Sequence, residues 1–189
     1  MLFIAASLFA SSEAWADGSH TVSLRSEQIA WGTSSQSFAM SDIAAELGTD
    51  AATLYQTIQD WKAAGYANNL FTLKLEDDSW SYEHGSAGDG AFYIGQDGSF
   101  HSGFSDAAGY CRLDYDEENI KITIGQVGSV TEGDIKCSVA LNLNDQIVTF
   151  DATLTIFVPE IDKEPVTTLS DLNIVGRYTY TTTVEPHTD

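Results

Sequence analysis

From Leu70 to Val158 the chain alternates apolar and polar residues with a period of two, and this pattern limits what it can fold into. Phe71/Leu73/Leu75 alternates with Thr72/Lys74/Glu76, and Cys111, Leu113 and Tyr115 follow in phase. Ile120/Ile122/Ile124 comes after an Asp116-Glu117-Glu118-Asn119 turn, then Cys137/Val139/Leu141/Leu143. Past an Asn144-Asp145 turn, Val148/Phe150/Ala152/Leu154/Ile156/Val158 closes the series. Successive side chains of a strand point to opposite faces, so the alternation describes strands buried on one side and wet on the other, as in antiparallel sheet. The phase puts Ile122, Val139, Leu141, Phe150, Leu154 and Ile156 on the buried side. Gly98 after Asp97 marks a further hairpin within 91–100.

Upstream the period differs. His20-Thr21-Val22-Ser23-Leu24 reads as a first strand, a polar loop runs to about Ser35, and Ser37-Phe38-Ala39-Met40 reads as a short second strand. Ser41 is placed as the N-cap of a short helix over 42–47 ended by Gly48, and Thr49 as the cap of a second helix from Asp50 to about Ala64, ended by Gly65. Leu54, Tyr55, Ile58 and Trp61 recur at helical spacing, so one stripe must pack on something. The expected class is α+β, mostly β: an antiparallel β-sandwich or curled sheet with a helical segment at about 42–64 laid on it.

Three segments are expected. Residues 1–16 read as a signal peptide: Leu2-Phe3-Ile4-Ala5-Ala6-Ser7-Leu8-Phe9-Ala10 is too short to span a membrane, and Ala14-Trp15-Ala16 matches a small-x-small cleavage site. Residues 17–158 form a single mostly-β module. Residues 159–189 read as a linker and stray strand, or the start of a following module, with prolines at both ends of Pro159-Glu160-Ile161-Asp162-Lys163-Glu164-Pro165. No other run is apolar enough to span a membrane.

Charge narrows the partners. Eight Lys+Arg against 28 Asp+Glu give a net charge of −20. Nucleic acids are bound by cationic neutralisation, which this surface opposes, and anionic membranes are disfavoured for the same reason. Neutral sugars, calcium, a basic partner or neighbouring modules of a longer chain remain compatible. Two cysteines, Cys111 and Cys137, are too few for a disulfide framework. They stand either as two buried thiols or as one disulfide across neighbouring strands.

Catalytic patterns are missing. Glu83-His84-Gly85-Ser86-Ala87-Gly88 lacks the frame of a nucleophile elbow, no His-Glu-x-x-His occurs, and the glycines of 85–90 come with no phosphate-cradling Lys. No metal-ligand or cofactor pattern is present, although Asp114-Tyr115-Asp116-Glu117-Glu118-Asn119 collects hard oxygen ligands of the kind calcium takes. The informative constellation is aromatic. In Ser79-Trp80-Ser81-Tyr82-Glu83-His84, a strand would put Trp80, Tyr82 and His84 on one face, and Tyr93, opposite in phase to Phe92 and Ile94, could join them. Flat rings stacking on the C–H faces of a sugar, with polar groups at their edges, are what glycan recognition uses. Trp80, Tyr82, His84, Tyr93 and Asp97 are the candidate ligand-binding residues.

The stretch 21–158 resembles the family catalogued as domain of unknown function 4859. Three points carry the resemblance: the helix junction Ile43-Ala44-Ala45-Glu46-Leu47-Gly48-Thr49-Asp50, the aromatic hairpin Gly90-Ala91-Phe92-Tyr93-Ile94-Gly95-Gln96-Asp97-Gly98, and the Ile124-Gly125-Gln126 turn. Tyr93 stands where the family usually has a Trp, and Val127-Gly128 where it usually has Tyr-Pro. The resemblance implies an exported bacterial module of the kind found beside carbohydrate-active domains. Two readings of function follow: a non-catalytic carbohydrate-binding accessory domain, or a structural, spacer or protein-interaction module of a larger cell-surface or secreted protein.

Overall fold

A computed structural model describes residues 18–85 and 88–160. The strands with period-two alternation form two five-stranded sheets. The elements are β1 (Ser19–Glu27), β2 (Thr33–Ala39), α1 (Met40–Glu46), α2 (Ala51–Ala63), β3 (Phe71–Lys74), β4 (Trp80–Ser81), β5 (Phe92–Ile94), β6 (Phe100–His101), β7 (Gly109–Tyr115), β8 (Asn119–Gln126), β9 (Gly133–Leu143) and β10 (Gln146–Phe157), with a 3-10 turn at Phe104–Asp106. The first sheet has the order β1-β10-β9-β3-β4 and the second β2-β8-β7-β5-β6. Among the described residues every pairing is antiparallel except β1 with β10, which run parallel from Ser19↔Thr149 to Glu27↔Phe157.

The sheets meet face to face, as expected of a mostly-β sandwich. From the first come Val148, Phe150, Leu154, Ile135, Val139 and Leu141; from the second Phe92, Ile94, Cys111, Ile120, Ile122 and Ile124, all with no exposed surface. Phe71 and Phe92 touch across the gap with ring centroids 5.3 Å apart. Burying a large aliphatic or aromatic side chain contributes about 1.5–3 kcal/mol, so this inner layer holds most of the stability.

The helices differ from expectation in detail. Met40 begins α1, Ala39 is its N-cap with no side-chain hydrogen bond, and the Ser41 hydroxyl turns to Asp42 instead. Asp50, not Thr49, caps α2, accepting from the Thr53 N–H at 2.9 Å; a carboxylate offers the stronger acceptor. Leu54, Ile58 and Trp61 are buried as the stripe requires. Tyr55 meets Tyr115 of the second sheet and Trp61 meets Phe71 of the first, so α2 bridges both sheets rather than covering one. β2 begins at Thr33, inside the expected loop, because an edge strand exposed on one flank can be built from serines and threonines. The Asn144-Asp145 turn has φ of 53° and 64°, the left-handed pair that a tight two-residue hairpin needs. The compact unit that holds the two sheets ends at Val158. The segment 1–16, read from the sequence as a signal peptide, and nearly all of 159–189 lie outside the described residues.

Candidate functional site

The five residues singled out from the sequence do not come together. β4 is only two residues long, so the alternation that would align Trp80, Tyr82 and His84 stops after Ser81. Trp80 pairs with Lys74, out of phase with the buried Leu73, which puts it on the outer face of the first sheet. Tyr82 lies beyond the strand, 54% exposed. His84 turns inward. Its ring stacks on Phe92 at 4.2 Å and meets Trp61 at 5.4 Å and Tyr66 at 6.2 Å. Burial holds its pKa below the usual histidine value, only partly offset by a backbone hydrogen bond at Tyr82. Among the described residues its buried Nε2 has no hydrogen-bond partner, which suits the neutral form. Asp97 is exposed at the β5–β6 turn, where its carboxylate accepts from the Ser99 hydroxyl at 2.6 Å and the Ser99 N–H at 3.0 Å; these bonds lower its pKa. Asp97 thus closes a turn. Tyr93 pairs with Tyr110 and His101 on the outer face of the second sheet, on the opposite side of the sandwich from Trp80.

Around Tyr93 the chain builds a different aromatic group. β7 alternates Cys111 and Leu113 inward with Tyr110 and Arg112 outward. Tyr110 lies opposite Gly125 of β8, and a Cβ on Gly125 would overlap the Tyr110 ring; the missing side chain lets that ring lie across the sheet. Gly85 makes the same room for Tyr93. The Tyr93 ring is 6.4 Å from Tyr110 and 6.5 Å from Phe104, tilted at 55° and 54°. Trp31, on the β1–β2 connection, rests above Gly128. That connection is fastened by Gln126, whose Nε2 donates to the Gln28 carbonyl at 2.9 Å and the Gly128 carbonyl at 2.7 Å. Between these rings is a recess of about 240 Å³ whose wall also includes Asp89, Arg112 and Val127. Trp31 is 69% exposed and Phe104 59%, although a buried aromatic ring would be far more favourable.

Polar groups edge the recess. The Tyr93 hydroxyl reaches Asp89 at 3.4 Å; burial first, then the Asp89 charge, raises its pKa, so it stays a protonated donor. Burial also raises the Tyr110 pKa. Arg112 Nε pairs with Asp114 at 3.1 Å, Asp114 accepts from Thr123 at 3.0 Å, and Thr123 meets Ser35 at 2.9 Å. The guanidinium is thereby aimed by a chain of hydrogen bonds crossing three strands, with its remaining N–H groups available for other acceptors. Hydroxyl donors, a carboxylate, a guanidinium and tilted rings thus share one concavity.

Two other features carry less chemistry. A larger cleft of about 630 Å³ runs past Asn68, Asn69, Asn142, Asn144 and Gln146, yet no aromatic ring lines it. In the acidic turn one oxygen of Asp116 accepts from the Glu118 N–H, the Asn119 N–H and the Asn119 amide, so that carboxylate is occupied in shaping the hairpin. Among the described residues no three His, Cys, Asp or Glu side chains converge as a metal site, and no helix is long and apolar enough to cross a membrane.

Sequence reasoning missed Trp31, Phe104, Tyr110 and Arg112. Trp31 and Phe104 lie in irregular connections where periodicity carries no signal. Tyr110 and Arg112 were readable, because the same alternation that buries Cys111 and Leu113 turns them outward. The chain matches no protein-family model, no curated protein and no solved structure.

Proposed function

We propose that this is a non-catalytic module of an exported protein that binds a glycan in the recess between Trp31, Tyr93, Phe104 and Tyr110. The observation that carries the proposal is the exposure of Trp31 and Phe104, at 69% and 59%, beside tyrosines whose rings lie over glycines. A sugar ring stacks its C–H face on such a platform while its hydroxyls bond to Asp89, Arg112 and the Tyr93 hydroxyl. The net charge of −20 is no obstacle to a neutral oligosaccharide. Each aromatic stack adds about 0.5–1.5 kcal/mol beyond area burial. Two or three stacks with hydrogen bonds therefore give millimolar to micromolar affinity, about −4 to −8 kcal/mol. Export follows from the Ala14-Trp15-Ala16 pattern, and the resemblance to modules found beside carbohydrate-active domains points the same way. Of the five residues chosen from the sequence, Tyr93 alone stays in this site.

The test is a glycan array followed by titration of the best oligosaccharide. Trp31→Ala is expected to weaken binding at least tenfold, and Trp80→Ala, on the other face, to leave it unchanged. Silence of the whole array at millimolar ligand overturns the proposal. The second reading, a protein-interaction module, is favoured by Ile29, 76% exposed two residues from Trp31. It gains weight if the array is silent and a protein partner is lost on Ile29→Ser.

A further inference from the structure

Cys111 and Cys137 belong to different sheets. Cys111 is on β7 of the second sheet, fully buried, and Cys137 on β9 of the first, half-buried and paired in register with the inward-facing Ala152. Their sulfurs face each other across the sandwich at 3.4 Å, nearer than sulfur atoms that merely pack, and both cysteines are free. The contact is therefore between the two layers and not across neighbouring strands, which was one of the two arrangements left open by the sequence.

We infer that Cys111 and Cys137 are a modification site: a disulfide-class oxidant joins them into one covalent staple between the sheets. The two sulfurs differ in the way the reaction needs. Cys137 is half-buried whereas Cys111 has no exposed surface, so an oxidant approaches Cys137 first. The Cys137 thiolate attacks the oxidant's disulfide, forming a mixed disulfide and releasing one thiolate. Cys111 then loses its proton and attacks the Cys137 sulfur, expelling the second thiolate. Two thiols have lost two protons and two electrons, and the oxidant has become two thiols. Cys111 suits the resolving role: its hydrogen bond to Cys137 and its burial push its pKa well above the thiol range, so it stays unreactive until a mixed disulfide forms beside it.

The staple also reaches the outer face. Cys111 lies between Tyr110 and Arg112, so tying it to β9 anchors the strand that presents two residues of the recess. That an oxidant is met in life rests on the export reading; the chemistry does not, and its test needs no glycan. The purified chain is equilibrated in oxidised and reduced glutathione at the poise of an oxidising compartment, then thiols are counted and the intact mass taken. Expected are loss of both thiols, a mass lower by two hydrogens, a peptide joining Cys111 to Cys137, and a melting temperature raised by about 7–14 °C and returned by dithiothreitol. Cys111→Ser and Cys137→Ser, checked for folding by circular dichroism, should gain no such rise. Both thiols still titratable at equilibrium would overturn the inference, as would a glutathione adduct on Cys137 that persists, or dimers linked through it.

Discussion

Phe92 and Tyr93 are neighbours in one three-residue strand, yet they belong to two aromatic groups with different fates. The Phe92 side joins His84, Trp61, Tyr66 and Phe71 in a layer closed by both sheets and α2. The Tyr93 side joins Tyr110, Phe104 and Trp31 around an open recess. Both groups are rich in rings with polar atoms, so residue type does not separate core from site. What separates them is strand phase and what lies beneath each ring. The inner rings lie against aliphatic side chains and one another, whereas the outer tyrosines lie over Gly85 and Gly125. Glycine lets a ring lie flat on the backbone; Tyr93 is itself only 6% exposed, and the open rings of the group are Trp31 and Phe104.

The largest difference between the groups should be in stability. Phe92→Ala, which empties the inner group, is expected to cost about 3–5 kcal/mol in urea unfolding. A loss below about 1 kcal/mol would place Phe92 on the wrong side of the sheet. Next comes pH. The folded-state pKa of His84 is depressed by burial, so the unfolded chain takes up a proton more readily than the folded one. Stability from this source is complete above the unfolded value of about 6.5 and declines as pH falls from there towards the folded pKa. The capping carboxylates Asp50, Asp77, Asp97 and Asp116 have lowered pKa values and act only in a more acid window, below about 3.9. Melting temperatures from pH 8 to 5 should therefore drop in the wild type and stay flatter in His84→Leu; equal slopes would remove His84 from the inner group. The smallest effect belongs to the recess. Trp31→Ala should move stability by no more than about 0.5 kcal/mol, and a loss above about 2 kcal/mol would make Trp31 part of the core.

The same contrast explains what could be read from the sequence. The phase of β10 was plain, because Val148, Phe150, Ala152, Leu154 and Ile156 alternate without a break, and all are buried. The helical stripe Leu54, Ile58 and Trp61 was equally plain. Which strands would be neighbours was not, since a period of two fixes faces and says nothing of partners; the parallel pairing of β1 with β10 leaves no local mark. His84 was misread because Trp80, Tyr82 and His84 alternate on paper but the ladder ends at Ser81, and the backbone past it is free to turn the ring inward. Trp31 was passed over because its segment is polar and irregular, and a ring there gains its place from Gln126, almost a hundred residues later, which fastens the loop.

The most direct test of the division between the two groups is a heteronuclear NMR titration with the oligosaccharide chosen by the array. It follows the indole N–H signals of Trp31, Trp61 and Trp80 in one sample. The expected result is a progressive shift of Trp31 with saturation in the millimolar to micromolar range, with Trp61 and Trp80 unmoved. A shift centred on Trp80, or none at Trp31 while the sugar is demonstrably bound, would contradict the assignment of the recess as the binding site.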